Sequence, residues 1–377
     1  MMWEKVKLGD VTDSCLGKML DQNKNKGDYQ PYLANVNVRW GEFDLEDLPL
    51  MKFEESEQER YELKYGDLVI CEGGEPGRCA IWKEQIPNMK IQKALHRVRV
   101  HDCLDYRYLF YWFLLAGKTG ELDQYFTGAT IKHMPGQKLK EVVIDKPPLE
   151  IQHRIADILS AYDDLIENNQ KQIKLLEEAA QRLYKEWFVD LRFPGHENTK
   201  IVDGVPEGWS RTNINEILTF HRGYDLTKNE MKAGRYPVVG STTVIGYHNE
   251  FKIKGPGIVT GRSGSLGKYQ FIWDNFWPHN TSLYISDYKD HNIFFVYSLL
   301  QTVDFTSLNN GGAIPTLNRN VLSNIEVIEP TDELQEMFAK IAEPQYQKIK
   351  KLEKQNYRLK TARDLLLPKL MSGEVEV

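Results

Sequence analysis

The chain writes the same strand-to-helix corner twice. The stretch "EVVIDKPPLEIQHRIADIL" (141–159) and the stretch "IEVIEPTDELQEMFAKIA" (325–342) superpose at an offset of 183. That offset sets Pro147 on Pro330, Glu150 on Glu333 and Gln152 on Gln335. In each, a β-branched run ends at a proline and an apolar-periodic run follows, the pattern of a strand feeding a helix. The echo extends upstream. "GDLVICEGGEPGRCAIW" (66–82) returns as "GPGIVTGRSGSLGKYQFIW" (255–273), each reading as strand, glycine turn and strand. "IQKALHRVRV" before "LDYRYLFYWFLLAG" matches "HNTSLYIS" before "HNIFFVYSLLQ", and the glycine-centred loops "YFTGATIKHM" and "LNNGGAIPTLN" follow. The order is kept while insertions move the offset. A whole mixed α/β domain is duplicated, since solenoid periods are far shorter.

Each copy ends in a long helix. Ile155, Leu159, Tyr162, Ile166, Asn169, Ile173, Leu176, Ala180, Leu183 and Trp187 follow alternating steps of four and three, the seam of a coiled coil. Such a helix from Glu150 to Val189 is ~60 Å long at ~1.5 Å per residue. The same offset yields a second seam: Phe338, Ala342, Gln345, Ile349, Leu352, Asn356, Leu359, Arg363, Leu366 and Leu370. Pro344 should kink this helix or delay its start. Paired antiparallel, the seams set Asn169 opposite Asn356. A polar pair there would fix the register, the alternative being that each Asn points partly to water. The expected fold is α+β: two duplicated mixed α/β domains separated by two long antiparallel coiled-coil helices, with pseudo-two-fold symmetry. The boundaries are 1–148 for the first globular copy, 149–190 for the central helix, and 191–208 for a Pro/Gly/Asn-rich linker. The second copy is 209–330 and the C-terminal helix 331–377. A single chain built this way imitates a symmetric dimer, the arrangement by which DNA readers address two half-sites.

Composition closes off other classes. The start "MMWEKVKLGD" carries no apolar signal region, and "YLFYWFLLAG" is too short to span a bilayer and reads as buried helix. Cys15, Cys71, Cys79 and Cys103 lack the close pairs of a zinc site and read as reduced thiols, so the expected location is the cytoplasm. The formal net charge of −6 advertises no global field for nucleic acid, though much of the acid sits in "EFDLEDLPLMKFEESEQERYEL", read as solvated surface.

On the helices and their flanks the sequence resembles the specificity subunits of type I restriction–modification enzymes. The carriers are "PPLEIQHRIADILSAYDDLIENNQKQIKLLEEAAQRLYKEWFVDLRFPG", "GVPEGW" and "LKTARDLLLPKLMSGEVEV". The resemblance implies that the globular copies are target-recognition domains, each reading half of an interrupted double-stranded DNA target. It implies two modification (methyltransferase) subunits docked on the helices, with restriction and motor subunits joining for cleavage. It also implies a non-catalytic role within an adenine-N6 methyltransferase and endonuclease complex. S-adenosylmethionine, ATP and Mg would then belong to the partner subunits, and this chain would bind no cofactor.

The residues agree with a non-catalytic reading. The chain has no Asn-Pro-Pro-aromatic loop, its only Pro-Pro being preceded by "DK". "GRSGSLGKY" is one residue too long between its outer glycines for a phosphate loop, and Tyr269 stands where Ser or Thr is needed. His96, His101 and Cys103 could be imagined around a metal, but residues five apart on a strand face opposite sides, so no metal site is expected.

DNA reading needs polar side chains projecting from loops. Four repeated stations supply them. The first has Lys18, Lys24, Lys26, Asn35, Asn37 and Arg39 in copy one and Arg222, Lys228, Ser241, Thr242 and Thr243 in copy two. The second, a glycine turn, has Arg78 against Arg262, Ser263, Ser265 and Lys268. The third has Lys90, Gln92 and Lys93 against His279, Asn280 and Thr281. The fourth has Thr127, Thr130, Lys132 and His133 against Asn309, Asn310, Thr316 and Asn318. An alternative function fits the repeat and heptads alone: a coiled-coil scaffold or adaptor whose two ligand-binding modules never touch DNA. The family-like helices and the Lys/Arg/Asn loops favour the DNA reader.

Overall fold

The computed structural model describes residues 3–21, 25–262, 267–303 and 325–377. Lys24, Ser263, Ser265, Asn309, Asn310, Thr316 and Asn318 lie outside the described residues. The chain divides into two compact units. One comprises Met1–Glu167 with Asn356–Val377 and the other Asn168–Gln355. Each unit therefore contains one globular copy together with half of each long helix, rather than leaving the helices as separate modules.

The first unit carries three sheets. A four-stranded antiparallel sheet orders Thr12–Leu16, Leu95–Val100, Leu68–Cys71 and Cys79–Ile81. A three-stranded mixed sheet orders Leu50–Phe53, Asp28–Leu33 and Lys90–Ile91, and Glu4–Lys7 pairs with Val143–Lys146. The second unit repeats all three. Its four-stranded sheet orders Thr219–Arg222, Ser282–Asp287, Gly257–Gly261 and Tyr269–Ile272. Its three-stranded sheet orders Val244–His248, Tyr236–Val239 and Trp277–Pro278, and Ser210–Asn213 pairs with Glu326–Glu329. Strand order and direction coincide copy for copy, so the duplication seen in sequence is a duplication of topology.

The apolar strand Leu68–Cys71 is buried along its whole length, inside the four-stranded sheet. The helix Tyr106–Thr119 is apolar nearly all round and packs into the same core. Asp105 caps it by accepting from the backbone N–H of Arg107 and Tyr108 at 2.7 and 3.1 Å, and Gly120, at φ +78°, ends it. The equivalent helix Ile293–Thr302 is capped by Asn292, which accepts from the N–H of Phe294 at 2.9 Å. Two glycines are also duplicated for a physical reason. A Cβ on Gly17 would lie 2.3 Å from the carbonyl oxygen of Gln92, and one on Gly223 2.0 Å from that of His279. Two backbones meet at these points with no room for a side chain.

The duplicated corner is held by a duplicated hydrogen bond. The Gln152 amide donates to the carbonyl of Pro147 at 2.8 Å, and the Gln335 amide donates to that of Pro330 at 3.0 Å. Both glutamines are buried. Gln152 Oε1 also accepts from the Asp105 N–H at 2.9 Å, and its amide reaches the Cys103 carbonyl at 3.2 Å. Gln335 Oε1 lies 2.9 Å from Nδ1 of His291. In both copies the glutamine ties the start of the long helix to the loop that caps the domain helix.

The long helices are Leu149–Tyr184, continued by a π-helical turn Lys185–Val189, and Asp332–Met371. Every seam position named above is buried or half-buried. In the first unit Ile155, Ala156 and Leu159 pack with Leu367, Leu370 and Met371, and Arg363 is ion-paired to Asp163, which also accepts from the Tyr111 hydroxyl at 2.6 Å. In the second unit the Tyr184 and Trp187 rings lie 5.7 and 6.3 Å from that of Phe338. Start meets end in both cases, so the helices run antiparallel. Pro344 does not delay the second helix, which begins at Asp332; the proline occupies an exposed position. The linker is not featureless either. It forms a short hairpin, Ile201–Val202 with Val205–Pro206, and its Phe193 ring packs 4.8 Å from Trp209 in the second unit's core. Among the described residues no helix is long and apolar enough to cross a membrane.

Candidate nucleic-acid interface

In an antiparallel sheet, alternate loops emerge at the same end. The turn after Leu16, the turn after Cys71 and the turn before Leu95 therefore share one end of the first unit's four-stranded sheet. Backbone hydrogen bonds stitch them together. The Lys18 N–H donates to Ile91 O at 3.0 Å, the Lys93 N–H to Lys18 O at 2.8 Å, and the Glu72 N–H to Ala94 O at 2.8 Å. The Met134 N–H donates to Glu72 O at 2.7 Å, and Gly73 bridges to His133. Described segments of all four stations of copy one, scattered from Lys18 to His133, are brought to one place.

Within that place the side chains divide into two groups. Lys18 is buried. Its ammonium is paired to Glu57 at 2.5 Å and donates to Lys52 O at 2.9 Å, while it sits 5.1 Å from the Phe53 ring centre. Burial pushes the Glu57 carboxyl up, but the hydrogen bonds from Lys18 and the Glu54 N–H outweigh it and hold the group below its ordinary value. Lys90 is fully buried with its ammonium 3.4 Å from Glu62; burial lowers its pKa, partly offset by that carboxylate. These two lysines are corrections to the expected surface set, because their charge is spent inside the fold. The acidic stretch 42–63 keeps most of its carboxylates solvent-exposed, as expected, with two turned inward. It supplies Glu57 and Glu62 to these pairs, and the carbonyls of Glu59, Arg60 and Glu62 receive the Arg97 guanidinium at 3.2, 2.9 and 3.3 Å.

Asn35, Asn37 and Arg78 form a frame. Asn35 donates to Gly73 O at 2.8 Å and accepts from Arg78 at 2.9 Å, while Arg78 also reaches Glu75 at 3.0 Å. Asn37 is buried, donating to Asp44 O at 3.1 Å and accepting from the Ala34 N–H at 2.9 Å. Lys26, Arg39, Lys93, Thr127, Thr130, Lys132 and His133 are exposed, and Gln92 is half-buried. Arg39 lies 3.9 Å from Asp44, and Lys132 lies 3.4 Å from Asp123.

The second unit presents the same sheet end with different chemistry. The Tyr224 N–H donates to Pro278 O at 2.8 Å and the Arg262 N–H to Thr281 O at 3.1 Å. Ser241 donates to Thr281 O at 2.8 Å, His279 Nδ1 lies 2.9 Å from the Thr281 hydroxyl, and Arg222 reaches Asn280 O at 3.4 Å. Arg222, Lys228, Thr242, Thr243, Lys268 and Thr281 are exposed; Ser241, Arg262, His279 and Asn280 are half-buried. A cavity of about 400 Å³ opens here between the 225–231 loop, Ile245, His279 and Asn280, whose amide donates to Asp225. Asp225 and Glu75 were missed by sequence reasoning; as carboxylates in basic loops they carried no signal of their own.

Among the described residues no group of three His, Cys, Asp or Glu could hold a metal ion. His96 is buried and donates from Nε2 to Met134 O at 3.0 Å, and burial lowers its pKa. His101 instead approaches Asp13 at 3.3 Å.

The sequence profile described as "Type I restriction modification DNA specificity domain" matches residues 2–178 and again 206–360, once on each copy. The chain belongs to this family. It is a specificity subunit with two repeated domains, a DNA-recognising and non-catalytic component. It is 29% identical over 342 residues to the type I restriction enzyme MjaIX specificity subunit of Methanocaldococcus jannaschii, covering 83% of this chain and 78% of that one. It is 22% identical to the HindI specificity subunit of Haemophilus influenzae over 99% of both chains. In fold it is similar to the S subunit of the type I restriction–modification system from M. genitalium, with a TM-score of 0.58, 19% identity, and coverage of 98% and 96%.

Proposed function

We propose that each globular copy of this specificity subunit reads one half of an interrupted double-stranded DNA target. The observation that carries the reading is the recurrence of polar loops at the same end of the same sheet in both units, with different residues in each. Equivalent placement argues for one shared task. Different loops, such as "EGGEPGR" against "GRSGSLGK", argue for two different half-sites. Exposed Lys26 and Lys93 in one copy and Arg222, Lys228 and Lys268 in the other serve as phosphate or base contacts, while Lys18 and Lys90 serve the fold.

The two modification subunits dock on the long helices in this proposal, and restriction subunits join the assembly so formed. Ile158, Leu165 and Leu175 on the first helix and Met337, Ile341, Tyr357 and Leu365 on the second are exposed apolar residues outside the seams. S-adenosylmethionine, ATP and Mg are handled by those partners, in the cytoplasm. Asn169 and Asn356 keep the helix register as polar seam positions. The test is a titration of the purified complex against fluorescent duplexes at fixed salt. Scrambling either half-site should weaken binding and scrambling the spacer should not; equal binding to all duplexes would sink the reading. Ile158→Glu with Leu175→Glu should remove the partners in native mass spectrometry, and retained stoichiometry would refute the docking.

A further inference from the structure

The most exposed side chain of the asparagine turn in the first unit is apolar. Asn35 and Asn37 sit in a short turn, and both amides are spent within the protein: Asn35 on Gly73 O and Arg78, Asn37 on Asp44 O and the Ala34 N–H. The residue between them, Val36, is 69% exposed. Its own carbonyl accepts from Arg39, and the carbonyl of Asn35 accepts from Arg78 at 3.2 Å. The turn is thus pinned on both sides, and a β-branched side chain, stiff at its first torsion, projects from its apex. A second apolar apex is hooked to the same glycine. Ile131, 65% exposed, crowns the loop closed by paired Thr127 and His133 backbone bonds of 2.7 and 2.9 Å, and His133 bridges Gly73.

A rigid apolar group held out to water on the proposed DNA-reading end of a recognition domain is placed to meet an apolar counterpart. In the major groove the base edges offer one such feature, the 5-methyl group of thymine. We infer that Val36 reads a thymine methyl in the half-site recognised by the first copy. The inference rests on the proposed reading of that half-site and names its chemistry. Asn35, Asn37 and Arg78 act as positioning residues for the turn, which is why two asparagines flank a valine there.

The test replaces thymidine by deoxyuridine, one position at a time, in the half-site that survives exchange of residues 209–330. Wild-type complex and Val36→Ala complex are titrated against each duplex. For the wild type, one substitution should cost about fourfold in affinity, the worth of one buried methyl group. Val36→Ala should lose affinity on the thymidine duplex and show no further loss at that deoxyuridine. Val36 is exposed, so the variant folds. If no thymine in the half-site is sensitive, or if the variant keeps the full sensitivity, the inference is overturned while half-site reading stands. If the complex discriminates no half-site at all, both fall.

Discussion

Removing the Gln152 side chain tests the duplicated corner directly. Its amide donates to Pro147 O at 2.8 Å and Cys103 O at 3.2 Å and accepts from the Asp105 N–H at 2.9 Å, all with the side chain fully buried. Gln152→Ala deletes these three bonds and deprives the buried Pro147 carbonyl and Asp105 N–H of that partner. At about 1 kcal/mol net per bond, the first unit should lose about 3 kcal/mol. Gln335→Ala deletes the bonds to Pro330 and His291 and should cost the second unit about 2 kcal/mol. Because a chain of two units need not unfold in one step, the readout is amide hydrogen exchange, resolved by unit. Protection should fall around 103–108 and 147–156 for the first variant, and around 291–296 and 330–339 for the second. Gln124→Ala, on an exposed turn, is the control. A Gln152→Ala loss no larger than the control's would refute the corner as a structural keystone.

Arg363→Ala should lower the hydrogen-exchange protection of the first unit by about 2 kcal/mol, because it leaves the half-buried Asp163, which also accepts from Tyr111, without its ionic partner. Lys90→Met should leave stability within about 1 kcal/mol of wild type, since it removes a buried charge together with its desolvation. It should also leave the salt dependence of DNA binding unchanged, whereas Lys93→Ala should lower the slope of log affinity against log salt by about 0.9. Gly17→Ala and Gly223→Ala should lower hydrogen-exchange protection by about 3 kcal/mol in the first and the second unit respectively, as the added carbon meets a backbone carbonyl at 2.3 or 2.0 Å.

The parts of this architecture that were legible in sequence are those written as periodicity or as repetition. The seams were readable because burial on one helix face demands apolar residues every three or four positions, and each named position is buried or half-buried. The corner was readable because Pro147 and Gln152 return at one offset, although the hydrogen bond joining them was not. What escaped were decisions made by tertiary neighbours. Nothing local distinguishes Lys90, sealed against Glu62, from Lys93, open to water three residues later. The same holds for Asn35, whose amide is consumed by Gly73 and Arg78, residues about forty positions away. Polar residue type told which loops gather at one end of the sheet, but not which side chains frame that end and which face outward. Pro344 leaves the start of its helix in place for a related reason. A proline on the solvent face loses one backbone bond, and the packing of Phe338, Ala342 and Tyr346 on the opposite side keeps the helix in place.

The central claim is that two similar domains in one chain read two different half-sites independently. The most direct measurement is methylome sequencing of cells carrying the complete system, with residues 209–330 of this chain exchanged for the corresponding segment of another specificity subunit. The account predicts an interrupted methylated motif in which one half changes and the other half is retained base for base. Alteration of both halves, or a single uninterrupted motif before and after the exchange, would contradict it.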